Sequence, residues 1–217
     1  MTPIVKICCI SSKQEASDAI SAGASALGLV GEMPSGPGVI SDEDILAIAS
    51  EVPPLVATFL LTSEKDSSSI IAHHKRTRTN TIQIVDDIEI SEYQIIREAL
   101  PNVNIVQVVH VLDESSIDKA LELAESVDAV LLDSGNPNLA VKELGGTGRT
   151  HNWEFSKKIV EGCKKPVFLA GGLNAENVRK AIESVNPFGI DLCSGVRTNG
   201  GLDKRKLERF FEEVDKV

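Results

Sequence analysis

Two short segments carry side chains suited to acid and base chemistry. In Val5-Lys6-Ile7-Cys8, the two-residue period of an extended strand puts Lys6 and Cys8 on one face and Val5, Ile7 and Cys9 on the other. If the first face points inward, an ammonium group beside a thiol favours the thiolate, which equips Cys8 as a base or nucleophile. Far along the chain, Ala129-Val130-Leu131-Leu132-Asp133 ends an apolar run in a carboxylate. At the rim of a low-dielectric interior such a group keeps its proton, as a general acid must near neutral pH. Both residues have ordinary structural alternatives, since free cysteines are common in cores and Asp133 could open the turn Ser134-Gly135-Asn136-Pro137.

Three glycine-rich pieces follow: Gly145-Gly146-Thr147-Gly148, Gly171-Gly172 and Ser194-Gly195. Glycine lets backbone N–H groups approach an anion closely, and a helix opening after Gly172 or Gly195 would add its positive end, so these pieces predict a phosphate cradle. Other polar clusters have plainer readings. His73-His74, beside Lys75, Arg76 and Arg78, suits a solvated helix C-terminus. His110 is expected to be a hydrogen-bonded structural residue, and Cys163 and Cys193 to be packing residues. Lys204-Arg205-Lys206 belongs to the solvated face of a helix that buries Leu207, Phe210, Phe211 and Val214.

The elements that position these residues alternate along the whole chain. Strands are predicted at 4–8, 26–30, 55–60, 81–85, 105–109, 129–133, 167–170 and 189–193, and helices at 13–22, 42–50, 67–75, 91–100, 114–125, 153–162, 175–184 and 203–215. Eight βα units in 217 residues average about 27 residues each, which predicts an α/β chain folded as a single (β/α)8 TIM barrel over 1–217. A doubly wound open sheet is disfavoured because the first strand runs into Cys8-Cys9-Ile10-Ser11-Ser12 rather than a glycine-rich turn. The glycine-rich pieces fall just after strands, in the βα loops where barrels carry chemistry.

Composition narrows the partners. A formal net charge of -10 and only eight aromatic residues argue against nucleic acid, which needs a basic stripe and stacking surfaces. No apolar run approaches the roughly 20 residues of a membrane span, and the N-terminus has no signal-peptide order, so a cytoplasmic protein is expected. The cysteines Cys8, Cys9, Cys163 and Cys193 lack CxxC spacing, which predicts free thiols and no metal site.

These motifs, taken together, resemble those of the phosphoribosylanthranilate isomerase family of tryptophan biosynthesis. The matching pieces are Val5-Lys6-Ile7-Cys8, Leu131-Leu132-Asp133, Gly145-Gly146-Thr147-Gly148 with Trp153, Leu169-Ala170-Gly171-Gly172-Leu173-Asn174 with Asn177-Val178, and Asp191 with Ser194-Gly195-Val196. The resemblance implies a cofactor-free Amadori rearrangement of a small phosphorylated aminosugar by a monomer or homodimer. It implies Cys8 as general base and Asp133 as general acid. Lys6, Gly146, Gly148, Gly171, Gly172, Ser194 and Gly195 would lie around the substrate and its phosphate.

The chain departs from the family pattern at four places. Ser35-Gly36-Pro37-Gly38 stands where the family has Ser-Pro-Arg, Gln83-Ile84-Val85-Asp86 replaces Gln-Leu-His-Gly, Cys9 replaces glycine, and Arg197 replaces glutamate. Arg197 is therefore expected to supply the missing guanidinium as a carboxylate or phosphate anchor. A paralogous isomerase of another phosphorylated aminosugar, or a phosphosugar-binding protein without turnover, are the alternatives left open.

Overall fold

A computed structural model describes residues 2–136, 138–139 and 148–217. Gly145, Gly146 and Thr147 of the first glycine-rich piece thus lie outside the described residues. Eight parallel strands close into a barrel in sequence order: β1 (Ile4–Ile7), β2 (Ala26–Val30), β3 (Ala57–Thr62), β4 (Thr81–Ile84), β5 (Asn104–His110), β6 (Ala129–Asp133), β7 (Val167–Leu169) and β8 (Gly189–Leu192). The helices α1 (Lys13–Ala22), α2 (Asp42–Ala49), α3 (Ser67–Thr77), α4 (Ile90–Ala99), α5 (Ser115–Ala124), α6 (Trp153–Gly162), α7 (Val178–Val185) and α8 (Lys204–Val214) follow them in turn.

The strand pleat divides the core into two layers. Outward residues such as Ile7, Leu27, Leu60, Ile84, Val109, Leu132 and Ile190 pack under the helices. Inward residues Val30, Phe59, Leu61, Val106, Leu131, Phe168 and Ala170 fill the barrel, where the Phe59 and Phe168 rings meet edge-on with centroids 6.0 Å apart. The barrel is thus plugged by packed side chains, and only its upper end is left for a ligand.

Three local differences from the sequence expectation have simple causes. β3 begins at Ala57 rather than 55, because Leu55 follows Pro53-Pro54 in a turn and stands 96% exposed. α7 begins at Val178 rather than 175: Asn177 Oδ1 accepts from Asn174 N at 2.9 Å and its Nδ2 donates to Gly172 O at 2.9 Å, making 174–177 a turn. Between β8 and α8 the chain makes a single 3-10 turn over Ser194–Val196 and a small hairpin of β9 (Arg197–Thr198) and β10 (Gly201–Leu202). Its two-residue loop, Asn199 at φ 51° and Gly200 at φ 83°, has the left-handed pair that a tight hairpin demands.

The expectation of a solvated His73-His74 is corrected. Both rings are buried, because α3 turns them inward: His73 lies between Thr62 Oγ1 and Asp42 Oδ1, each at 3.0 Å, and His74 Nε2 is 2.7 Å from Thr79 O. Burial pushes His74 below the usual imidazole range, so its neutral form is favoured.

Candidate active site

The strand C-termini surround a cavity, open to solvent, that brings Cys8, Asp133, Gly148, Gly171, Gly172 and Ser194 together. Cys8 follows the last residue of β1 and Asp133 ends β6, so each reaches the mouth at the end of an inward-facing row. Both are nearly inaccessible to solvent, at 6% exposure each.

Asp133 is the most unusual group in this cavity. Its Oδ2 is buried without a hydrogen-bond partner, although a buried carboxylate normally has every oxygen engaged. Burial pushes its carboxyl well above the usual range and outweighs the charge of His110 and the N–H groups of Ser134 and Gly135, which favour the anion; Asp191 adds to the upward push. His110 is the register partner of Asp133 across β5 and β6, with Nε2 3.3 Å from Val85 O. A carboxyl that lines a cavity and keeps its proton has the chemistry of a general acid.

Cys8 has a different setting. A Cβ built on Gly28 of β2 would come 2.8 Å from Cys8 Sγ and 3.0 Å from Lys6 Nζ, so the glycine makes room for both groups side by side. Lys6 is completely buried and pairs with Asp191 Oδ1 at 2.9 Å. Burial pulls Lys6 down, but Asp191 and the charges of Cys8 and Cys9 outweigh it and hold the ammonium above the usual lysine range. A fixed positive charge therefore sits beneath the cysteines. Gln83 also lines the cavity, and its Oε1 is buried without a partner, as expected of an acceptor kept for a ligand.

The glycine pieces converge on the other side. Gly172 has φ 62°, and a Cβ there would meet the Arg149 carbonyl carbon at 2.6 Å; only glycine fits. A Cβ on Gly148 would be 3.7 Å from Ser194 Oγ, which sets the loop after β6 against the loop after β8. Gly195 is not among the lining residues; a Cβ there would reach Leu173 O at 2.1 Å, so its role is to let the 3-10 turn sit against the loop after β7.

A family model described as N-(5'phosphoribosyl)anthranilate (PRA) isomerase matches residues 5–213. The chain belongs to this isomerase family. A relative named N-(5'-phosphoribosyl)anthranilate isomerase from Methanosarcina acetivorans is 35% identical, covering 97% of this chain and 92% of its own. The crystal structure of phosphoribosyl anthranilate isomerase from Thermotoga maritima superposes with a TM-score of 0.85 at 29% identity, covering 99% of this chain and 100% of its own. A second structure, of a phosphoribosyl anthranilate isomerase in complex with reduced 1-(o-carboxyphenylamino)-1-deoxyribulose 5-phosphate, gives a TM-score of 0.82 at 27% identity, covering 99% of this chain and 100% of its own.

Within this isomerase barrel, three expectations about side chains are corrected. Arg197 does not line the cavity. Its guanidinium pairs with Glu15 at 3.1 Å and donates to Gly200 O at 2.8 Å and to the carbonyls of Cys8 and Cys9, so it is committed to the backbone that carries Cys8. Lys6 lies below the cavity, sealed from solvent, and reaches the site only through Asp191 and the cysteines. Cys9 lines the cavity instead of facing the helices, and Cys193, packed against the inward core as expected, lines it too. The strand pleat ends at Ile7, and Cys9 adopts φ 62°, which turns its side chain back in.

Sequence reasoning assigned no role to Asp191 or His151. Asp191 was findable, since the inward row of β8 places it in register with Lys6. His151 had no local signal: a Cβ on Gly171 would be 3.1 Å from its Nδ1, its Nε2 is 2.6 Å from Ser156 Oγ, and burial pushes its pKa down to about 4, so a neutral ring backs the glycine loop. Among the described residues, no helix is long and apolar enough to cross a membrane.

Proposed function

We infer that this chain isomerises N-(5'-phosphoribosyl)anthranilate to 1-(2-carboxyphenylamino)-1-deoxyribulose 5-phosphate, an aldose-to-ketose rearrangement in the cytosol. The observation that carries the residue assignment is the proton-retaining Asp133 carboxyl, its Oδ2 without a partner, in the same cavity as Cys8. Asp133 donates its proton to the ribose ring oxygen, the ring opens, and the aryl nitrogen lone pair forms a Schiff base with C1'. Cys8 acts as the base that removes the proton from C2', and the resulting enolamine tautomerises to the ketose. The ring oxygen and C1' each gain a hydrogen while C2' and its hydroxyl each lose one, and the proton taken by Cys8 returns through solvent to Asp133, so the enzyme is reset and no external oxidant or reductant is needed.

The glycine loops after β6, β7 and β8 seat the phosphate. None of the described residues lining the cavity is Lys or Arg, so this reading assigns anion binding to backbone N–H groups and hydroxyls such as Ser194. The partner is this small phosphorylated substrate, and the protein works as a monomer or homodimer. Rescue of a tryptophan auxotroph lacking the isomerase tests the activity, and the Cys8→Ser and Asp133→Asn variants test the roles. Each should lose roughly 10²–10⁴-fold in turnover with the fold intact. Failure of the folded wild type to rescue overturns the activity, and near-normal turnover of either variant overturns its role.

A further inference from the structure

We propose that Cys9 and Cys193 form a redox-modification site: the two thiols close a reversible disulfide at the β1–β8 side of the cavity and so displace Cys8. The effect on turnover rests on Cys8 being the base; the sulfur chemistry does not. The Sγ atoms of Cys9 and Cys193 lie 2.6 Å apart although the residues are 184 positions apart in sequence. Closing the bond needs an approach of only about 0.5 Å.

The surroundings assign each sulfur a part. Cys193 is partly exposed and lines the solvent-open cavity, whereas Cys9 is buried. The hydrogen bond with Cys9 and, against burial, the Arg197 charge lower the Cys193 thiol, while hydrogen bonding to Cys193 and Cys8 and burial hold Cys9 protonated. Cys193 is thus the accessible nucleophile and Cys9 the resolving thiol. With a small disulfide such as oxidised glutathione, the Cys193 thiolate attacks one sulfur and expels a thiolate. Cys9 then attacks Cys193 Sγ in the mixed disulfide and expels the second thiolate, which takes up the Cys9 proton. Two protein thiols are oxidised and one disulfide is reduced to two thiols.

The consequence for Cys8 follows from its backbone. Cys9 sits at φ 62°, and Arg197 grips the carbonyls of both Cys8 and Cys9. Drawing Cys9 toward β8 strains this turn and moves the adjacent base from its working position, where small misplacements cost large factors in rate.

The experiment treats the wild type and Cys193→Ser with oxidised glutathione, counts thiols after denaturation, maps linked peptides by mass spectrometry, and follows turnover before and after dithiothreitol. The wild type should lose two of its four thiols, yield a Cys9–Cys193 peptide pair, and fall at least about tenfold in turnover with recovery on reduction. Cys193→Ser should form no such pair and keep its starting activity. Absence of the linked peptide in the wild type, or equal inactivation of Cys193→Ser, overturns the proposal. The peptide map decides the sulfur chemistry even if the variant fails to fold or the protein proves inactive on the inferred substrate.

Discussion

Lys6 and Asp191 are register partners across the seam where β8 meets β1, and their side chains form a 2.9 Å ion pair that no solvent reaches from the lysine side. The pair closes the barrel electrostatically at the point where its last strand joins its first. Lys6 also lies 5.1 Å from the centroid of the Phe59 ring, so the ammonium is flanked by a carboxylate and an aromatic face. Lys6→Met leaves the Asp191 carboxylate, 9% exposed, without its cation, at an expected cost of about 3–5 kcal/mol. Urea unfolding at neutral pH checks this; a loss below about 1 kcal/mol would show that the barrel tolerates the uncompensated charge.

Asp133 links activity and stability with opposite signs. Its folded carboxyl is held above the ordinary value of 3.8, so above that value the fold binds a proton that the unfolded chain has released. This group therefore lowers stability progressively as pH rises from the unfolded value through the folded one. Asp133→Asn removes the penalty while abolishing the proton donor. The expected result is a variant more stable than the wild type at pH 7 but roughly 10²–10⁴-fold slower. The two pH–stability curves should converge near pH 3, and a variant less stable than wild type at pH 7 would contradict the raised carboxyl.

The barrel was legible in the sequence because each βα unit repeats the same physics: a short apolar, mostly β-branched run, a connecting loop, and an amphipathic stretch. β6 (Ala129–Asp133) and α1 (Lys13–Ala22) occupy the predicted ranges, the latter fixed by Ser12, whose hydroxyl accepts from Glu15 N at 3.1 Å. Cys8 and Asp133 were legible for the same reason, since the strand pleat alone aims both inward. Arg197 was misread because a guanidinium near the mouth has no local mark that distinguishes a ligand anchor from a tie on backbone carbonyls; the deciding partner, Glu15, lies 182 positions away. The hairpin at Asn199-Gly200 was not among the expected elements, although its two residue types carry the signal for one.

Gly28 should be essential to the site although it touches no ligand. An added methyl would press on Cys8 Sγ at 2.8 Å, Cys8 Cα at 3.1 Å and Lys6 Nζ at 3.0 Å, and the buried ion pair gives Lys6 no room to retreat. Gly28→Ala should lower kcat at least about tenfold through displacement of Cys8, with an overpacking cost of about 1–3 kcal/mol. Steady-state kinetics together with a thermal melt separate the two effects. Unchanged kcat would mean that the thiol can move freely, against the requirement for a positioned base.

Arg197 and Glu15 form the clamp on the Cys8–Cys9 turn, and their variants distinguish a clamp from a substrate anchor. Glu15 accepts from Ser11 N and from Leu202 N, each at 2.9 Å, besides its pairing with Arg197. Burial alone would raise its carboxyl, yet the Arg197 hydrogen bond and these two N–H groups hold it below the ordinary 4.5. A depressed carboxyl contributes stability above its unfolded value and loses it as pH falls through the folded one. Glu15→Gln should therefore be less stable than wild type at pH 7, with the difference shrinking below pH 4. Arg197→Ala should lower kcat by releasing the turn that carries Cys8, with KM nearly unchanged because the guanidinium does not face the cavity. A rise in KM with kcat preserved would restore Arg197 as an anchor for a substrate anion and remove the clamp.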